Sequence, residues 1–189
     1  MSKHILMIPL QAFGHLIPLL ALANRLGRFF RVTVAVSQYL VDDIKGRSLL
    51  SEENENIVVH SIEDGFVGDT SIEKTGTENF KRLAQEFSVT CQRFLASIYS
   101  PELQRLSLPE FGKINAVIVD NLLAGEVALC YQQNIPVYHF NTSSAGKASI
   151  NVCDTVSLHG SFCPALILLW TFNITEPVNT VFRLQKHSC

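Results

Sequence analysis

Short apolar runs alternate along this chain with longer stretches of helical periodicity. Residues 4–10 form an apolar run with the length of a buried strand rather than a helix. The loop Gln11-Ala12-Phe13-Gly14-His15 leads into a stripe of Leu16, Leu19, Leu20, Ala23 and Leu26, whose spacing predicts one buried helix face with Gly27 as its stop. Residues 31–36 are β-branched and predict a second strand. Ile57–Ile62 predicts a third, closed by a turn at Glu63-Asp64-Gly65. The clearest helix runs over about 78–99, where Phe80, Leu83, Ala84, Phe87, Cys91, Phe94, Leu95 and Ile98 share a face. Its aromatic stripe is read as core, and Pro101 ends or kinks it. Residues 116–119 predict a fourth strand with Asp120 at its tip. Ala124, Val127, Ala128 and Tyr131 are expected to form the buried face of the next helix. Residues 136–140 predict a fifth strand, followed by a polar turn at Asn141-Thr142-Ser143-Ser144.

This alternation predicts an α/β fold: a Rossmann-like parallel sheet with helices on both faces. In open sheets of this kind ligands bind beyond the carboxyl ends of the strands, where strand order reverses. With an assumed order 3-2-1-4-5 the crevice lies between the first and fourth strands. That places the His15 loop beside Asp120, across about a hundred residues of sequence. The pattern weakens after Ile150, so residues 1–150 are assigned to the domain and 151–189 to an atypical tail.

Composition narrows the function. The chain has 189 residues, 47% of them apolar, which is enough for one domain with a real core. A formal charge of −2 without a dense basic run argues against nucleic acid or an anionic membrane as partner. No stretch approaches the ~18 apolar residues of a membrane span, and the brief run over 165–170 is far too short. Pro9 ends the first apolar run and no small-residue cleavage site follows, so the N-terminus is read as a strand rather than a secretion signal, and the expected compartment is the cytosol. Five cysteines without a C-x-x-C pair are read as free thiols, and Cys153, His159 and Cys163 match no common zinc spacing.

Two residues stand out for chemistry. His15 follows a glycine at the end of a buried strand, and an imidazole with an ordinary pKa near ~6.5 accepts a proton at neutral pH. Its other reading is a histidine that packs at a helix start. Asp120, on the tip of a buried strand, is costly unless paired or wet. It either orients His15 and stabilises its imidazolium or caps the following helix. No dinucleotide fingerprint, P-loop or nucleophile elbow is present, and Ser143 and Ser144 are read as turn chemistry.

With these residues in place the chain resembles the family 1 UDP-glycosyltransferases, in particular the soluble plant-type members. The likeness rests on Ile8-Pro9-Leu10-Gln11-Ala12-Phe13-Gly14-His15-Leu16-Ile17-Pro18, with its G-H-x-x-P motif, running on into Leu22-Ala23-Asn24-Arg25-Leu26. The Asp64-Gly65 turn, the strand ending in Asp120 and the segment Phe140-Asn141-Thr142-Ser143-Ser144-Ala145 follow in the family's order. The resemblance covers about residues 1–150. It implies the N-terminal half of a GT-B enzyme. His15 would deprotonate the acceptor hydroxyl and Asp120 would orient it. Gly14 would lie in the loop between donor and acceptor, and Thr142 would contact the donor sugar. The implied partners are a UDP-sugar and a small lipophilic hydroxylated acceptor. Transfer would proceed with inversion, and neither a metal nor a cofactor beyond the donor is implied.

The chain also departs from the family. Complete members are more than twice this length, and the long Trp-, His-, Asn- and Glu-containing signature that binds the UDP-sugar is missing from this sequence. The chain therefore looks like a truncated product that is inactive alone. Two other readings stand beside the enzyme fragment: a non-catalytic small-molecule-binding or regulatory module, and an unrelated flavodoxin-like domain in which the His15–Asp120 pairing is accidental.

Overall fold

A computed structural model describes residues 2–51, 54–63, 76–144, 147–153 and 183–187, with side chains over 2–51, 54–63 and 85–141. The chain begins with β1 (His4–Ile8), α1 (Phe13–Leu26), β2 (Arg31–Ser37), α2 (Gln38–Gly46), β3 (Ile57–Ile62) and α3 (Gly76–Ser97). Three short strands follow, β4 (Tyr99–Ser100), β5 (Arg105–Leu108) and β6 (Gly112–Lys113), and then β7 (Ala116–Asp120). A 3₁₀ segment (Asn121–Val127), α4 (Ala128–Gln132), β8 (Val137–Ser144), β9 (Lys147–Cys153) and β10 (Arg183–His187) complete the described elements.

The main sheet has seven strands in the order β10-β9-β8-β7-β1-β2-β3. Its first five strands in sequence therefore lie in the expected 3-2-1-4-5 arrangement, with β7 and β8 as fourth and fifth. β1 is central and pairs parallel with both β2 and β7, so that Leu6 stands between Thr33 and Val117. All of β1 is buried, which accounts for an uninterrupted apolar run where a half-exposed strand would alternate.

Period-2 alternation sends successive side chains to opposite layers. Ile5, Met7, Val32, Val34 and Ile118 pack with Leu16, Leu19, Leu20 and Ala23 of α1 and with Leu40 and Ile44 of α2. Leu6, Ile8, Val117 and Val119 pack on the other side with Phe87, Cys91, Phe94 and Leu95 of α3. Leu106 and Leu108 close that second layer from β5, in the small antiparallel sheet β4-β5-β6. The arrangement is a mostly parallel Rossmann-like α/β sheet covered on both faces.

Several local expectations are corrected. β1 stops at Ile8 rather than at Leu10, because Pro9 has no N–H for the ladder. α2 was not expected, since only Leu40 and Ile44 of its nine residues are buried and leave little periodicity to read. Asn141–Ser144 is not a turn: antiparallel β9 pairs with β8 through Ser144 and supplies partners for Asn141 and Ser144, with a register shift between them. After Asp120 the buried positions are Leu123, Val127 and Cys130, while Ala128 is exposed. The first part of that segment winds as a 3₁₀ helix, which turns the buried face away from the α-helical register.

Gly27 does end α1, but with φ −59° and ψ −16° it needs no left-handed conformation. Packing explains it, since a Cβ there would stand 2.5 Å from Ile57 Cγ1 and 2.6 Å from Asn54 Nδ2.

Candidate active site

His15 lies in the first turn of α1, directly after the carboxyl end of β1. The buried stripe of α1 seats that helix on the sheet and so fixes the azimuth of His15. Asp120 is the last residue of β7, the strand beside β1. Alternation puts it on the same face as Ile118, the face that α1 covers. The two side chains meet: His15 Nδ1 lies 2.8 Å from Asp120 Oδ2. The histidine side chain keeps 22% of its surface exposed, whereas the aspartate keeps 1%.

Asp120 makes both contacts at once. Oδ1 accepts the Leu122 backbone N–H at 3.0 Å and caps the 3₁₀ segment, while Oδ2 faces the imidazole. A buried carboxylate is tolerated when its oxygens are partnered in this way. An ionised carboxylate only accepts, so the proton between the two groups sits on His15 Nδ1. The lone pair of the neutral ring then lies on Nε2, the atom able to take up a proton.

The loop that delivers His15 is held by a residue not singled out from the sequence. Gln11 is 2% exposed. Its Nε2 donates to the Pro9 carbonyl at 2.7 Å, and its Oε1 accepts the Ser37 N–H at 2.7 Å. The Tyr39 hydroxyl donates to the Gln11 carbonyl at 3.1 Å. The Arg47 guanidinium stacks over the Phe13 ring, 4.3 Å from its centroid. The one available signal was a long polar side chain directly after an apolar strand.

Gly14 is exposed, and nothing lies within 4 Å of where its Cβ would be. Neither packing nor backbone conformation demands a glycine there. Thr142 belongs to β8, but its side chain falls outside the described residues, as do the side chains of Ser143, Ser144 and Cys153. Asp64, Gly65, His159, Cys163, Cys189 and the run 165–170 lie outside the described residues altogether. Among the described residues no group of three His, Cys, Asp or Glu side chains is placed to hold a metal. Cys91 and Cys130 are buried, and burial pushes both thiols up to about 12, far from thiolate chemistry.

Among the residues with described side chains, three further histidines lie apart from this pair. His4 is buried, its Nε2 2.9 Å from Thr33 Oγ1 and its Nδ1 3.2 Å from the Gly112 carbonyl, and burial lowers its pKa. His139 packs on the α3 face with Nε2 2.7 Å from the Tyr131 hydroxyl, and burial lowers its pKa too. His60 lines a cleft of about 290 Å³ between β3 and α3, together with Glu63, Arg93 and Phe94, and its Nδ1 lies 2.8 Å from Glu110 Oε1. Burial pushes the Glu110 carboxyl up, but the His60 hydrogen bond and smaller contributions outweigh it and hold the group below its ordinary value.

No protein-family model and no curated protein matches the sequence. Solved structures do match the fold. TcCGT1 in complex with UDP superposes with a TM-score of 0.53 at 19% identity, over 75% of this chain and 29% of its own. Phytolacca americana UGT2, complexed with UDP-2-fluoro-glucose and pterostilbene, gives 0.53 at 17% identity, over 74% of this chain and 30% of its own. Medicago truncatula UGT71G1, complexed with UDP-glucose, gives 0.52 at 17% identity, over 76% of this chain and 30% of its own. The chain thus spans about 30% of the length of these structures, and it has the Rossmann-like α/β fold found in plant UDP-glycosyltransferases.

Proposed function

We propose that this chain is the acceptor-side part of a UDP-sugar-dependent glycosyltransferase in which His15 is the general base and Asp120 its orienting partner. The 2.8 Å contact between His15 Nδ1 and Asp120 Oδ2, at the carboxyl ends of adjacent central strands, carries this reading. His15 Nε2 takes the proton of an acceptor hydroxyl as the oxygen attacks the anomeric carbon of the sugar. The carbon–oxygen bond to UDP breaks on the opposite face, so the anomeric centre inverts. Base assistance of this kind contributes roughly 10²–10⁴-fold, and holding donor against acceptor supplies much of the remainder. Asp120 stabilises the imidazolium without taking the proton. Gly14 leaves room for reactants to approach the helix start, and Thr142 touches the donor sugar. The acceptor is a small lipophilic hydroxyl compound. The fold likeness to enzymes solved with UDP, UDP-glucose and pterostilbene supports the substrate class.

The test is a chimera in which residues 1–150 replace the corresponding part of Medicago truncatula UGT71G1, supplied with UDP-glucose and a panel of phenols. Acceptor-dependent glucoside formation is expected. His15→Ala in that chimera should abolish transfer and leave UDP-glucose binding intact. A folded chimera that binds UDP-glucose and makes glucoside at the same rate with and without His15 would overturn the assignment.

A further inference from the structure

We propose that Gln11 is a positioning residue for His15, and that the β1–α1 loop transmits its effect. The proposal rests on the reading of His15 as the base, but its geometric content can be tested separately.

The dyad has two anchors. Asp120 is set by β7 and by the Leu122 N–H on its second oxygen. His15 has no equivalent strand of its own: it sits four residues beyond Gln11 in a chain that has just left the sheet. Pro9 ends β1 and turns the backbone out of the ladder, which leaves its carbonyl in need of a donor. The Gln11 amide supplies that donor and with its oxygen takes the N–H of Ser37, the last residue of β2. A single buried side chain thus ties the end of β1 to the end of β2, beyond the point where strand pairing has stopped.

The connection from Gln11 to His15 is short and stiff. Ala12 N–H bonds to the Leu10 carbonyl at 2.8 Å, and the Ala12 carbonyl then receives the N–H groups of His15 at 2.9 Å and Leu16 at 2.8 Å. Ala12 is the N-cap of α1 and has no side chain to accept a first-turn N–H. With no capping side chain, the Gln11 clamp holds the helix start in addition to the buried stripe that seats α1 on the sheet. The Tyr39 hydroxyl on the Gln11 carbonyl and Arg47 over Phe13 reinforce it from the β2–α2 side. A slip of this loop moves His15 while Asp120 stays, and hydrogen bonds weaken steeply once the geometry departs from its narrow range.

The experiment follows the His15 imidazole by nuclear magnetic resonance in the 189-residue chain, with the Nδ1 proton identified by its loss in Asp120→Asn and His15→Gln. Gln11→Met keeps the side-chain length and removes both amide bonds. Circular dichroism and a thermal melt run alongside to verify folding. In folded Gln11→Met we expect the ring to lose its single Nδ1–H tautomer and its Nδ1 proton to exchange with water about tenfold faster or vanish, as for a locally opened hydrogen bond. If Gln11 merely stabilises the fold, the melting temperature falls while the His15 signature stays as in the parent chain, and that result overturns the proposal. Should Gln11→Met fail to fold, Tyr39→Phe removes only the α2 hydroxyl that bonds to the Gln11 carbonyl. Faster Nδ1 exchange there supports the clamp, and unchanged exchange overturns it. None of these signals depends on glycosyl transfer, so a chimera equally active with and without His15 would sink His15 as base without touching this result.

Discussion

Asp120 divides its carboxylate between His15 and Leu122: one oxygen lies 2.8 Å from the imidazole and the other accepts the backbone N–H two residues on, at 3.0 Å. The cap keeps the carboxylate from rotating, and a carboxylate that cannot rotate presents one edge to the ring. Local turn chemistry and long-range pairing thereby support the same side-chain orientation.

Asp120→Asn and Asp120→Ala separate these two tasks. Asparagine caps about as well as aspartate, so Asp120→Asn should lose little stability, whereas Asp120→Ala loses the cap at a cost of about 1 kcal/mol in addition to the His15 contact. If His15 is the base, both should lower turnover in an active two-domain context by roughly 10²–10⁴-fold, the loss expected when the ring adopts the wrong tautomer. Urea unfolding reads the first effect and glucoside formation the second. Equal stability of the two variants would show that the cap contributes nothing.

Gly27 and Gly14 should respond oppositely to alanine. At Gly27 the new methyl meets Ile57 at 2.5 Å, and overpacking of this kind costs about 1–3 kcal/mol. At Gly14 nothing lies within 4 Å, so Gly14→Ala should fold with unchanged or slightly higher stability. Thermal melts of the two variants check this. If Gly14 makes room for a reactant, Gly14→Ala should still reduce transfer in the chimera.

Acid should weaken the fold first through two buried histidines. His4 and His139 both have pKa values lowered from 6.5 by burial. Between the lowered value and 6.5 the unfolded chain binds a proton that the folded chain refuses, so stability is complete above 6.5 and declines as pH falls through that window. Glu110, lowered from 4.5, adds a loss only below 4.5. Urea midpoints measured at pH 7.5 and at about pH 5.5 should fall in that order, since each histidine with a depressed pKa contributes with this sign. His4→Gln should flatten the dependence. A midpoint constant across this range would contradict the burial of these rings as neutral species.

Residues 1–189 alone should form no glucoside from UDP-glucose. His15 retains 22% exposure in this chain, and transfer to an alcohol requires that water be kept from the anomeric carbon. Incubation with UDP-glucose and small phenols, followed for both UDP release and glucoside, decides the matter. Acceptor-dependent turnover would show that these residues shield the reacting centre unaided.

The periodicities of the chain by themselves determined the strands and the helices built on long apolar stripes. Full burial makes β1 and β7 continuous apolar runs, and the stripe from Leu16 to Leu26 admits only one buried face. Together they were enough to nominate His15 and Asp120, but placing the two at one switch point took an assumed strand order that only the folded sheet supplies. α2 escaped detection because two buried residues make no period, and β9 because its pairing with β8 is a relation between segments rather than a property of either. Only the tertiary structure decided that Asp120 caps and pairs at once, which depends on β7 turning that residue toward the face covered by α1. Only it revealed Gln11, whose partners Pro9, Ser37 and Tyr39 come together when β1 and β2 lie side by side. Local sequence sets backbone propensity and the apolar face of each element, whereas a buried amide takes its meaning from whichever unpaired groups the folded neighbours bring within reach.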